Sequence, residues 1–124
     1  MYLAYICSPY RAKTGAELDN HIEYAQALTR LALKAGLAPI TPHLYLTQVT
    51  NESKEAERRI GLTAGQELLT KCDLMIIGNK YGVSEGMQEE IEIARSKQIT
   101  ILAIWDNTTP ENLTCMIERY MHDK

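Results

Sequence analysis

The sequence predicts one α/β domain spanning residues 1–124, a doubly wound parallel sheet of four to five strands in a three-layer α/β/α arrangement. Three observations predict it. Short apolar runs alternate with stretches of helical period along the whole chain. The runs are nearly continuous in apolar residues, as strands covered on both faces are. Parallel neighbours need crossover connections, and the intervening helices supply them. A length of 124 residues suits one domain and is too short for two.

The elements follow in order. Tyr2 to Cys7 is a short apolar run stopped by Ser8-Pro9, a buried strand. Glu17 to Ala35 has the helical period, with Tyr24, Leu28, Leu31, Ala32 and Ala35 on one stripe and Gly36 as its stop. Leu37 to Thr41 is a second strand closed by Pro42. His43 to Lys54 is too mixed to assign. Glu55 to Lys71 is helical, with a break at Gly61 or Gly65 left open. Asp73 to Ile77 is the third strand with Gly78 at its end, Ser84 to Lys97 a helix, and Ile99 to Ile104 the fourth strand. Pro110 to His122 closes the chain as a helix with proline near its first turn. Four strands in this alternation give the order 2-1-3-4, a shortened flavodoxin-like, Rossmann-like sheet. Ligands bind such sheets beyond the carboxyl ends of the strands where the winding reverses, here between the first and third strands. The loops Ser8 to Gly15 and Gly78 to Gly86 are thereby selected before any motif is considered.

Composition narrows the partners. A net charge of -3 argues against a nucleic-acid backbone as partner, while leaving room for a small phosphorylated ligand that needs one or two local cations. The three cysteines, Cys7, Cys72 and Cys115, form no CxxC or Cys/His pattern, and the three histidines are scattered. No metal and no cofactor are expected. No leader-like segment and no apolar run near 18 residues are present, so a soluble cytoplasmic protein with no membrane partner is expected.

The first loop, Ser8-Pro9-Tyr10-Arg11-Ala12-Lys13, offers a hydroxyl, an aromatic ring with a polar tip and two cations. The second runs Gly78-Asn79-Lys80-Tyr81-Gly82-Val83-Ser84-Glu85-Gly86-Met87 into a helix, with Ser84 as N-cap and the positive helix end toward the cleft. An anionic group is favoured there. Neither loop is a Walker A or GxGxxG motif. Along the helix the apolar stripe is Met87, Ile91 and Ala94, and steps of ~100° per residue turn Glu85, Glu89 and Glu92 to solvent. Glu90 lies only about 60° from the stripe centre, one turn beyond Gly86, where a ligand can approach the backbone. It is either a structural carboxylate paired with Arg11 or another cation, or a site carboxylate tuned by its surroundings. His43, after the second strand, is a candidate roof over the site, as is Tyr45; His21 faces either the pocket or a half-buried hydrogen-bonded position.

These segments resemble a family. Tyr5-Ile6-Cys7-Ser8-Pro9-Tyr10 is similar to the opening Y-[IL]-A-G-P strand and loop of the nucleoside 2-deoxyribosyltransferase-like superfamily. Ser84-Glu85-Gly86-Met87-Gln88-Glu89-Glu90-Ile91-Glu92-Ile93-Ala94 resembles its S-x-G-x-x-x-E-[IL]-x-x-A helix, and Lys71-Cys72-Asp73-Leu74-Met75-Ile76-Ile77 its lead-in to the third strand. The likeness is to a short phage and prophage branch of nucleotide N-glycosidase type. It implies that Glu90 is the nucleophile at C1' of a (deoxy)ribose and that Tyr10 orients it. It implies further that Ser84 meets phosphate or sugar hydroxyl. Ser8, Pro9, Arg11, Gly78, Glu85, Gly86, Met87 and His43 complete the expected ligand contacts. The family's habit implies a homodimer or higher oligomer, and its chemistry a nucleoside or nucleotide ligand.

One departure stands out. The resemblance places a catalytic aspartate eight residues before Asp73, and that position is Gly65, flanked by Ala64 and Gln66. Glu67 is about 200° away around the helix. Without a general acid a loss of ~10²–10⁴ in rate is expected. Two functions therefore stay open: cleavage or transfer at an N-glycosidic bond, or silent binding of a nucleotide-like ligand.

Overall fold

The computed structural model describes residues 1–121. Four strands form one parallel sheet in the order β2-β1-β3-β4, namely β1 (Leu3–Cys7), β2 (Ala38–Ile40), β3 (Leu74–Gly78) and β4 (Thr100–Ile104). Among the described residues the sheet has no fifth strand. The helices are α1 (Gly15–Lys34), α2 (Leu46–Val49), α3 (Glu55–Thr70), α4 (Glu85–Ser96) and α5 (Pro110–Met121). His122, expected in the last helix, lies outside the described residues. No helix among the described residues is long and apolar enough to cross a membrane.

The winding reverses between β1 and β3, whose registers pair Tyr5 with Met75 and Cys7 with Ile77. This places the loop after β1 beside the loop after β3, at one end of the sheet. Strand alternation sends successive side chains to opposite faces. Ala4, Ile6, Leu74, Ile76, Leu102 and Ile104 pack with Leu28, Ala32, Leu113, Ile117 and Met121 under α1 and α5. Tyr5, Cys7, Met75 and Ile77 pack with Leu69, Met87, Ile91 and Ala94 under α3 and α4.

Several boundaries differ from the sequence expectation for local reasons. α1 begins at Gly15 because the Thr14 hydroxyl caps it, accepting from the Glu17 amide at 3.1 Å. α3 runs unbroken through Gly61 and Gly65. The mixed stretch after β2 resolves into a 3-10 turn, Pro42–Leu44, followed by the single turn of α2. Thr47 and Thr50 hydroxyls bond back to the carbonyls of His43 and Leu46, which holds this short segment in shape.

Candidate active site

A cleft of about 530 Å³ opens at the switch point between the ends of β1 and β3. That volume suits a small organic ligand. Its floor is Tyr5, Ser8 and Glu90, one wall is the start of α4, and the opposite wall is α3 with the Pro42–Leu44 turn and α2.

The central feature is a hydrogen bond between two residues far apart in sequence. Tyr5, buried on β1, donates its phenol proton to Oε2 of Glu90 on α4. A buried tyrosine ring needs a partner for its hydroxyl, and burial of a carboxylate demands the same. Burial pushes the Glu90 pKa up to about 7, against the opposing pull of hydrogen bonds from Tyr5 and Cys7, with neighbouring Glu89 adding to the rise. Burial and the Glu90 charge push both Tyr5 and Cys7 well above their ordinary values, so both keep their protons. The result is a carboxyl that is about half ionised near neutrality, in a cleft floor sealed by protonated neighbours.

The anion end is separate. Ser84 caps α4, its hydroxyl accepting from the Met87 amide at 3.2 Å while the Ser84 amide donates to the Met87 sulfur at 3.4 Å. Ser84, Glu85, Gly86 and Met87 all line the cleft, with Arg11 from the first loop. Ser8 is buried in the cleft floor, and its hydroxyl has no hydrogen-bond partner among the described residues. Arg11 makes no ion pair among the described residues.

The first loop is fixed from both sides. The Tyr10 ring stacks on His43 at 5.3 Å with the planes 22° apart, and the Tyr10 carbonyl meets His21 Nδ1 at 3.2 Å. His21 also packs on Tyr81, which meets Tyr24 edge-on, so α1 clasps both loops. Burial lowers the His43 pKa, opposed by the Ser8 backbone and by the Glu52 charge. The imidazole is therefore neutral at pH 7.

Most of the expected residues meet here: Ser8, Arg11, His43, Ser84, Glu85, Gly86, Met87 and Glu90 line one cleft with Tyr10. Three expectations need correction. The tyrosine that holds Glu90 is Tyr5 and not Tyr10, because period-two alternation turns Tyr5 toward α4 while Tyr10 lies past the strand end against His43. Gly78 is not part of the cleft wall: Ile77 faces α4, so Gly78 faces α1, where an added Cβ would stand 2.6 Å from Leu28 and Tyr24. Pro9 is buried in the turn, outside the walls. Glu89, expected in solvent, is exposed but stands at the rim. Lys13 and Tyr45 are exposed and line nothing.

The α2–α3 wall was not foreseen; it brings Thr47, Thr50, Glu52, Arg58 and Arg59 to the cleft. Arg59 pairs with Glu55 at 3.3 Å on the surface. Gly65 faces inward, its added Cβ standing 3.6 Å from the Tyr5 hydroxyl and 3.7 Å from Pro42. The helical repeat of Gly61 and Gly65 was the available signal for that close approach. Among the described residues no cluster of three His, Cys, Asp or Glu could hold a metal.

Comparison with solved structures finds the fold of a 2-deoxyribosyltransferase from the psychrotolerant bacterium Bacillus psychrosaccharolyticus, with a TM-score of 0.65 and 11% identity over 83% of this chain and 72% of that one. No curated protein sequence matches the chain. The sequence model of one family covers residues 2–104, from the first strand through the last, so the chain belongs to the family described as "Domain of unknown function (DUF7768)".

Proposed function

We propose that this protein cleaves or transfers at the N-glycosidic bond of a nucleoside or its 5'-phosphate, with Glu90 as nucleophile. The observation that carries the proposal is the Tyr5–Glu90 pair on the floor of the cleft, a buried carboxyl poised near neutral pH and oriented by a protonated phenol. The fold shared with a deoxyribosyltransferase supports the same chemistry. Tyr5 holds Oε2, and in this reading Oε1 is the oxygen that attacks C1'. It forms the new C1'–O bond while the base departs with the bonding pair through an oxocarbenium-like transition state, and water or a second base then displaces Glu90.

In this reading Ser84, the free amides of α4 and Arg11 take the phosphate or 5'-hydroxyl, and the orphaned Ser8 hydroxyl takes a sugar oxygen. His43 and Tyr10, stacked face to face, offer an aromatic shelf beside the base. Action in the cytoplasm and assembly as a dimer or higher oligomer belong to the proposal. Val49 and Ile60, 78% and 66% exposed and flanking wall residues of the cleft, suit such an assembly.

Chromatography of free base after incubation with a panel of nucleosides and nucleotides tests the proposal. Wild type releases base; Glu90→Gln retains binding and loses release by at least about 10³-fold. Base release that survives in Glu90→Gln removes Glu90 as the nucleophile. Binding without release in the wild type returns the protein to the alternative, a silent nucleotide binder, which the neutral residue at Gly65 favours.

A further inference from the structure

A nucleophile is half of a glycosyl transfer; the departing base must also leave. A neutral purine or pyrimidine leaves as a poorly stabilised anion unless a proton arrives in the transition state, and that proton is worth ~10²–10⁴ in rate. Among the described residues, the groups that face this cleft can be inventoried for a donor. Tyr5 spends its proton on Glu90 and holds it tightly. His43 is neutral at pH 7 because burial lowers its pKa, and its ring is tied to the Ser8 backbone. Tyr10 lies flat against His43. Arg11, Arg58 and Arg59 are guanidiniums, which do not give up protons in proteins. Glu85 and Glu89 stand exposed at the rim, and Glu52 shares the Thr50 hydroxyl with the Leu46 carbonyl, at 2.7 Å and 3.0 Å. The stretch of α3 beside the Tyr5–Glu90 pair contributes Gly61, Leu62, Gly65 and Gln66, none of them titratable.

From this inventory we infer that the substrate is a nucleoside whose base already carries a positive charge at the glycosidic nitrogen, a pyridinium N-riboside or its phosphate. The inference rests on the reading of Glu90 as the attacking carboxylate and adds the substrate class. Chemistry and cleft then agree. The C1'–N bond breaks with both electrons moving to the ring nitrogen, whose formal positive charge is thereby cancelled. The base leaves as a neutral pyridine and needs no proton. Glu90 supplies the pair for the C1'–O bond; water later replaces it at C1' and one proton passes to solvent. A cationic base with an anionic phosphate also matches a cleft that mixes carboxylates, Glu52, Glu85 and Glu89, with the cations Arg11 and Arg58.

The test compares leaving groups on one protein. Nicotinamide mononucleotide is set beside inosine 5'-phosphate, and 7-methylguanosine 5'-phosphate beside guanosine 5'-phosphate, a pair that differs in base charge and one methyl group. Release is measured as kcat/KM from pH 5 to 9. The cationic member of each pair is expected to be at least about 10²-fold faster. Its profile should rise once, with the ionisation of Glu90, and stay flat above. Gly65→Asp, whose side chain enters beside Tyr5, should raise the ratio of neutral-base to cationic-base release above that of Gly65→Asn, the uncharged control that fills the same space. Equal release of neutral and cationic bases, or a bell-shaped profile, overturns this inference while leaving Glu90 as nucleophile. No release from any of the four overturns the proposed function with it.

Discussion

The two faces of the sheet are built from the same strands, one residue out of step, and they differ in kind. Toward α1 and α5 the strands present Ala4, Ile6, Leu74, Ile76, Leu102 and Ile104, an all-aliphatic layer closed by Leu113, Ile117 and Met121. Toward α3 and α4 they present Tyr5, Cys7, Met75 and Ile77, closed by Met87, Ile91 and Ala94, with Glu90 at the edge. The first face buries area and carries stability; the second accepts a buried carboxyl, a phenol and an orphaned hydroxyl. Separating the two by a single step along β1 lets the fold hold a costly site without loosening its core.

The sharpest way to break this contrast is on the aliphatic face. Leu113 is fully buried there, and Leu113→Ala should cost about 2–5 kcal/mol by lost transfer energy plus the cavity left behind. Denaturant midpoints measure it, and base release per folded molecule should be unchanged. A fall in turnover without loss of stability would show that the faces are not independent.

On the site face the expectation is opposite in sign. Glu90 has a folded pKa of about 7, raised from 4.5. A group raised on folding stabilises below its unfolded pKa, and that contribution is lost as pH rises toward the folded pKa. Between pH 4.5 and 7 the wild type therefore loses up to about 3 kcal/mol that Glu90→Gln does not lose. Melting curves of the two proteins should diverge as pH rises through that window, with the variant the more stable at pH 8. Parallel curves would mean that Glu90 is not buried as an acid.

How far the sequence already revealed this contrast depends on the element. The α/β order and the 2-1-3-4 sheet were legible because apolar runs and helical periods alternate everywhere outside the stretch after the second strand, and α4's phase singled out Glu90 from Glu85, Glu89 and Glu92. Tyr5 was legible as a strand residue and not as a partner, since alternation gives its face but not which helix residue stands opposite. Gly78 failed for the same reason: a glycine at a strand end serves the ligand side or the packing side according to register, and here Tyr24 and Leu28 take the space. The Pro42–Val49 segment was opaque because its turns are held by threonine hydroxyls bonding back to the chain, and no periodicity records that.

A smaller effect sharpens the role of Tyr5. Its hydrogen bond lowers the Glu90 pKa against the rise from burial, so Tyr5→Phe should move the activity limb to higher pH. Turnover at pH 7 should fall about tenfold, the equivalent of ~1.4 kcal/mol, and recover as pH rises. An unshifted profile would leave Tyr5 as packing alone. Smallest is Arg11, exposed at the mouth, where Arg11→Ala should weaken a 5'-phosphorylated ligand up to about fivefold and its nucleoside hardly at all. Calorimetric titration of both ligands separates a phosphate contact from a general effect.

The central claim is that Glu90 forms a bond to the sugar, and trapping tests it most directly. Incubation with a 2'-fluorinated nucleotide, whose electron-poor sugar slows hydrolysis of the intermediate, followed by cleavage and mass spectrometry, locates any adduct. A sugar-phosphate mass on the peptide spanning 81–95, assigned by fragmentation to Glu90 and absent in Glu90→Gln, is the predicted result. An adduct on another residue, or base release from natural substrates with none trapped at Glu90, would contradict the account.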